Sequence, residues 1–335
     1  MTESTIHPYK AEELLTLRRV DDDDDDSSQV MTVKIRKLQQ PWTLSCGMVV
    51  DMLGSSPGSI NDGAAAQQTV FFLKLYDWRF ATQLRDDGGI EPWTEESGNE
   101  YAEMVMRDEA DGFVEKLISD KDFREATEEG WDAGQNEASL AHEMLTMYRA
   151  ETSVYERLAD IQGRMVPHFL GAVEIDITPD GIITLNERQR RHFRVKGIML
   201  EYIPGFSLSD LVVSGVPPGA WQGIVDRAIR IVHALSDRDV LNKDVRPTNF
   251  IASGWSGDDG DNDQAIEEFR IFMIDFGQSR LRREDEADPE WGRAKWRQDE
   301  EGAVGLVMQR RLKKVGIGIS YVPSHRYLEF AEGEE

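Results

Sequence analysis

The run FFLKLYDWRF, residues 71–80, alternates as a β-strand does and sets Lys74 on the same side as Val70, Phe72 and Tyr76. That side carries apolar residues, so it is the side expected to face a core. An ammonium group there carries an uncompensated desolvation cost of several kcal/mol unless an anion meets it. The sequence is therefore expected to bring a carboxylate to Lys74 from elsewhere in the chain.

Working outward, 335 residues suffice for one large domain or two lobes. A composition of 40% hydrophobic and 30% charged residues is that of a soluble globular chain. The longest apolar runs, around TVFFL and GIMLEYI, are far too short to span a bilayer. The opening MTESTIHPYK lacks a basic region followed by an apolar stretch, so a cytoplasmic or nuclear location is expected rather than secretion. The single cysteine, Cys46, excludes an internal disulfide, and with six scattered histidines it offers no zinc-binding spacing. A formal charge of −25 argues against nucleic acid and anionic membranes as partners.

Residues 1–29 end in DDDDDDSS, a self-repelling block that reads as a flexible acidic tail. Strand-like pieces follow at TVKIRKL and TVFFLKLYDW, then an acidic, helix-prone insertion over about 86–140. Apolar residues at Leu140, Met144, Met147, Val154, Tyr155 and Leu158 mark one amphipathic helix, or two in succession. VPHFLGAVEIDI, IITL and GIMLEYI read as further strands. Beyond Leu208 helices dominate, notably AWQGIVDRAIRIVHALSDR, apart from the strand FRIFMID. The acidic stretch over about 254–268 has the wrong residues for a calcium loop, Gln264 and Arg270 standing where glycine and glutamate belong, and reads as a surface loop.

Two segments carry the chemistry. In VLNKDVRPTNFI, Asp244 and Asn249 have the D-x-x-x-x-N spacing, and in FRIFMIDFGQSR, Asp275-Phe276-Gly277 closes an apolar strand. Together they resemble the catalytic loop and metal-binding segment of the protein-kinase-like superfamily. With Ile161-Gln162-Gly163, KDVRPTNF, IDFGQSR and a closing DEEGAVGLVMQRRL, the chain looks like the compact kinase-like proteins numerous in fungal genomes.

The resemblance implies an α+β, two-lobed kinase-like fold: a strand-rich N-terminal lobe over 30–202 and a shortened helical C-terminal lobe over 203–330. It implies ATP and magnesium, with Asp275 and Asn249 holding metal, Asp244 orienting or deprotonating the attacking hydroxyl, and Arg246 touching the transferred phosphate. Lys74 fits the strand lysine that reaches the α and β phosphates. Its expected ion-pair partner is Glu151, because Tyr155 and Leu158 follow at i+4 and i+7, with Glu156 as fallback. Glu201, Tyr202 and Ile203 would meet the adenine through their backbone.

The chain also departs from the pattern. There is no G-x-G-x-x-G, the first hairpin offering SCGMVV and then GSSPGS, and Asn242-Lys243-Asp244 stands in place of His-Arg-Asp. The segment after Asp275, RLRREDEADPEWGRAKWRQDEEG, contains no A-P-E, and a small or shallow acceptor site is expected instead of a peptide groove. The function expected is an ATP- and magnesium-dependent phosphotransferase with its acceptor open. Two alternatives stand beside it: a pseudokinase serving as a nucleotide-gated binding or scaffold module, and a small-molecule kinase of the aminoglycoside or choline type.

Overall fold

A computed structural model of the chain describes residues 9–20, 29–53, 70–182, 184–254 and 269–331. The expected loop over 254–268, all but its first residue, and the GSSPGS run lie outside the described residues. The chain divides into two compact units. One comprises the residues up to Tyr148 together with Phe169–Tyr202, the other Arg149–His168 together with the chain from Ile203 onward.

The first unit is built on strands β1 (Leu14–Val20), β2 (Val30–Gln39), β3 (Cys46–Met52), β4 (Val70–Leu75), β5 (Phe169–Asp176) and β6 (Arg194–Glu201). They pair antiparallel in the order β1-β2-β3-β4-β6-β5, and β1 returns to β5 through Arg18↔Glu174, Arg19↔Val173 and Val20↔Ala172. The sheet is thus a closed six-stranded barrel. This corrects the expected two-lobed kinase-like fold: strands and helices are both present, but the strand-rich part closes on itself. The physical cause is β1, seven residues inside the segment read as tail, which hydrogen-bonds both β2 and β5 and so removes the two edges of an open sheet.

Leu17, Val33, Ile35, Met48, Val50, Leu73, Leu75 and Ile198 form the buried apolar core of this unit. On β4 the fully enclosed face is that of Leu73 and Leu75, whereas Val70 and Phe72 on the other face are only half-buried. Lys74 shares that second face. A Cβ at Gly47, which pairs with Lys74, would come within 2.8 Å of the tip of the Phe72 ring, so a side chain there requires that ring to move.

The acidic insertion forms α1 (Thr82–Asp87), α2 (Glu95–Met106), α3 (Ala110–Ser119), α4 (Phe123–Thr127) and the start of α5 (Ala133–Arg157), with α6 (Glu187–Arg190) preceding β6. Arg85 and Glu137 join it to itself through a buried two-pronged pair at 3.0 and 2.7 Å. The apolar periodicity read over Leu140–Leu158 is one continuous helix of 25 residues and its C-terminal turn, in which Leu140, Met144, Val154, Tyr155 and Leu158 are buried and Met147 half-buried.

The second unit holds β7 (Phe206–Ser207), α7 (Trp221–Ser236), β8 (Val240–Asn242), β9 (Phe250–Ser253), β10 (Arg270–Met273), β11 (Ser279–Leu281), α8 (Asp288–Gln298) and α9 (Glu300–Lys313). Helix α7 buries Ile224, Val225, Ala228, Ile231, Val232 and Leu235 along one stripe and packs on α9 and β10. Its strands make two small sheets, β10-β9-β7 and β11-β8. Among the described residues no helix is long and apolar enough to cross a membrane.

Candidate functional site

The two motif segments meet in the second unit because their flanking strands pair with each other. β8 leads into the loop 243–249, which leads into β9; β10 leads into 274–278, which leads into β11. β9 pairs with β10 and β8 with β11, so both loops emerge at one junction between the two small sheets. Backbone bonds tie them there: Ile274 N–H donates to Asn249 O at 2.9 Å and Lys243 N–H to Gln278 O at 3.3 Å.

Within the junction, the Asn249 amide donates to Asp244 twice, to its backbone oxygen at 2.9 Å and to Oδ2 at 3.0 Å. The amide oxygen of Asn249 therefore points to the opposite side. Arg246, whose side chain is 47% exposed, reaches Asp244 Oδ2 at 2.9 Å. Asp275 sits at φ 67°, the left-handed region that costs an L-residue roughly 1–2 kcal/mol and that Asp tolerates better than most. Strain of this kind persists where the surroundings over-determine it, which is characteristic of working sites. Phe276, fully buried, meets the Tyr155 ring edge-on at 5.3 Å and 84°.

Glu151 lies one turn before Tyr155 on α5 and is fully buried, whereas Glu156 is exposed. Burial, followed by the nearby carboxylates of Glu151 and Asp275, pushes the Tyr155 phenol well above its ordinary range. The second unit thus gathers Asp244, Arg246, Asn249 and Asp275 at one junction, with Tyr155 in electrostatic reach of both Asp275 and Glu151.

Lys74 belongs to the first unit. It is 6% exposed, on β4, with its ammonium 5.4 Å from the centroid of the Tyr76 ring. Glu201 ends β6 in that same unit, opposite Phe71, and Tyr202 follows it as the unit's last residue, while buried Ile203 belongs to the second unit.

Asn242 is the residue that motif spacing overlooked. Its Oδ1 accepts from Asp244 N–H at 2.8 Å and its Nδ2 donates to Asp275 O at 3.3 Å, so one side chain bridges the two loops. Its own N–H donates to Glu300 Oε1 at 2.7 Å, and Glu300 is paired with buried Lys295, which donates to Val240 O at 2.9 Å. The only hint in the sequence is that Asn242 occupies the position where the resemblance has histidine.

The charged segment after Asp275 is also tied down. Arg280 grips Glu286 with two hydrogen bonds of 2.7 Å and stacks 5.0 Å over Trp291. These bonds outweigh the upward push of burial and pull the Glu286 carboxyl down to about 2, from an ordinary value of 4.5. Because the folded value is depressed, the pair stabilises fully above about pH 4.5 and its contribution is lost as pH falls from there towards 2. Thermal melts at pH 6 and pH 3 are expected to differ less for Glu286→Gln than for the native chain. An unchanged pH difference would remove the pair from this role.

The donor set suits magnesium better than a softer metal. Asp275, Asp244 and the Asn249 amide are hard oxygen donors, and magnesium commonly takes one or two carboxylates and completes its shell with water and phosphate oxygens. No cluster of three or more His, Cys, Asp or Glu side chains that could enclose a metal by themselves occurs among the described residues. No family model matches the chain, and no curated protein matches it in sequence.

Proposed function

We propose that the second unit carries an ATP- and magnesium-dependent phosphotransfer centre. The observation that supports this best is the Asn242 bridge, which holds Asp244 and Asp275, 31 positions apart, by opposite ends of one amide. Phosphoryl transfer needs two functions kept in fixed relation, an acceptor-orienting base and a metal-binding oxygen, and little covalent chemistry from the protein. Asp244 takes the proton of the acceptor hydroxyl as the new O–P bond forms, the bond to the bridging β,γ oxygen breaks and ADP leaves. Asp275 and the amide oxygen of Asn249 are the residues that would hold magnesium, which when bound neutralises charge on the phosphate oxygens. Arg246, half-exposed beside Asp244, supplies a cation for the transferred phosphate. A cytoplasmic or nuclear setting suits this reading, since magnesium nucleotide is plentiful there and the single cysteine is a buried free thiol.

A thermal-shift titration tests the nucleotide half. ATP at about a hundred times its dissociation constant is expected to add roughly 2.7 kcal/mol, only with magnesium, and Asp275→Asn is expected to abolish the gain while leaving the ligand-free melt intact. No shift at millimolar nucleotide would remove ATP from the proposal. One observation favours a second reading, a nucleotide-gated binding module. Arg246 and Asn249 both engage Asp244 Oδ2, so the base is already paired. A magnesium-dependent shift without any phosphate transfer would select that reading.

A further inference from the structure

Helices α2 and α3 of the acidic insertion are joined to the chain just before β6 by a relay of three side chains. The hydroxyl of Tyr101, on α2, lies 3.0 Å from Nδ1 of His192, and Nε2 of His192 lies 3.1 Å from Oδ1 of Asp111, on α3. His192 sits in the short turn Arg191–Phe193 between α6 and β6, so one imidazole ties the insertion to residues 91 and 81 positions away. Tyr101 is buried, and His192 and Asp111 are half-buried.

These bonds select one protonation state of the ring. An ionised carboxylate only accepts, so Nε2 carries the hydrogen towards Asp111; Nδ1 of the neutral ring is then an acceptor, and the Tyr101 hydroxyl donates to it. Burial, and then the carboxylates of Glu137 and Asp111, push the Tyr101 phenol far above its ordinary range, so it keeps its proton. Against the upward push of burial, Arg188 and His192 hold the Asp111 carboxyl below its ordinary range, so it is ionised where an imidazole titrates. A second proton on the ring makes Nδ1 a donor facing a donor. The hydroxyl then has to turn, and its own hydrogen loses His192 as acceptor. Glu137 on α5, the other carboxylate in electrostatic reach of Tyr101, is already gripped by Arg85 of α1 through two bonds.

We propose that His192 is a pH-sensitive latch, which holds α2 and α3 to the turn before β6 while it is neutral and loosens them when it is protonated. Asp111 by itself favours the imidazolium, but Arg188 of α6 already holds the other oxygen of that carboxylate. Arg191 adjoins the ring in the chain, and Arg194 at the start of β6 is turned to Glu174 and Glu187. Burial of the ring, opposed by Asp111 and reinforced by Arg191 and Arg188, keeps the folded imidazole below its ordinary 6.5. Because the folded value is depressed, the latch contributes fully above pH 6.5, and its contribution is lost as pH falls through the folded value. Gln189 also grips the turn between α2 and α3, donating to Asp108 Oδ1 at 3.1 Å and Met106 O at 3.4 Å, so release of His192 loosens the helices without freeing them. The latch lies wholly in the first unit and does not depend on the phosphotransfer reading.

The test is a pH series of the full chain from about pH 7.5 to about pH 5, above the range in which the Glu286 pair titrates. Nitrogen NMR of the imidazole is expected to show Nε2–H and a bare Nδ1 at the upper end, with a midpoint below 6.5. Amide exchange in α2 and α3, taken relative to β3 and β4 at each pH, is expected to quicken about fivefold at the lower end, as the loss of one neutral hydrogen bond would bring. His192→Gln can make both bonds without titrating, its oxygen in place of Nδ1 and its amide in place of Nε2, and is expected to abolish that pH dependence. Tyr101→Phe removes the donor that excludes the second proton and is expected to raise the His192 midpoint. A midpoint above 6.5, an Nδ1–H tautomer at neutral pH, or a pH dependence that persists in His192→Gln would overturn the proposal. So would a Tyr101→Phe midpoint no higher than that of the native chain.

Discussion

Asp244→Asn is expected to slow phosphate transfer by roughly 10²–10⁴-fold while leaving the affinity for magnesium nucleotide nearly unchanged. The substitution keeps the shape of the side chain and an oxygen for the Asn249 amide, whose bond to Oδ2 is 3.0 Å. What it removes is the charge that accepts a proton and that pairs with Arg246. A base acts on the acceptor hydroxyl and not on ATP, so turnover falls without a matching change in nucleotide binding. The measurement is transfer of radiolabelled γ-phosphate to a small-metabolite panel and to the chain itself, with nucleotide affinity titrated on the same preparations. If Asp244→Asn instead abolishes nucleotide binding, Asp244 is a metal or structural residue and the roles assigned to the junction must be exchanged.

What could be read from the sequence, and what could not, follows from the range of each interaction. Alternation over 71–80 and three-and-four spacing over Leu140–Leu158 are local patterns; the helix forms as one element, whereas the strand holds only over Val70–Leu75 before the chain turns into a short 3-10 helix at Trp78–Phe80. Barrel closure is not local. LLTLRRV places Arg18 and Arg19 in the strand and precedes six aspartates, so nothing within it announces two neighbours, one of them more than 150 positions away. Closure is decided by which strands lack partners once the others have paired, and a single strand does not carry that information. The two-lobed expectation failed at that step.

The junction divides in the same way. Asp244, Asn249 and Asp275 could be picked out because spacing and an adjoining apolar strand mark them. Asn242 could not, because its work is done by a short amide spanning two loops, and an asparagine at the end of a strand has many duller uses. Lys295 and Glu300 were further out of sight. They lie on either side of Asp299, whose φ of 42° breaks α8 from α9, so no helical spacing relates them. In the sequence they belong to a run of charges that reads as a solvated surface.

That hidden pair carries the largest stability effect expected. Glu300→Ala is expected to cost about 3–5 kcal/mol, because Lys295 would keep a buried charge without its partner and Asn242 N–H would lose its acceptor. Both side chains are nearly inaccessible, at 1% and 3%, so water does little to replace what is lost. Lys295→Met alone strands the carboxylate and is expected to cost a similar amount. The double variant Lys295→Met, Glu300→Gln leaves no buried charge, and the side-chain carbonyl of the introduced glutamine can still accept from Asn242 N–H, so its loss is expected to be well below the sum of the singles. Urea unfolding monitored by tryptophan fluorescence reads all three. A cost below about 1 kcal/mol for Glu300→Ala would show the pair to be solvated, and would detach the Asn242 bridge from the support this structure gives it.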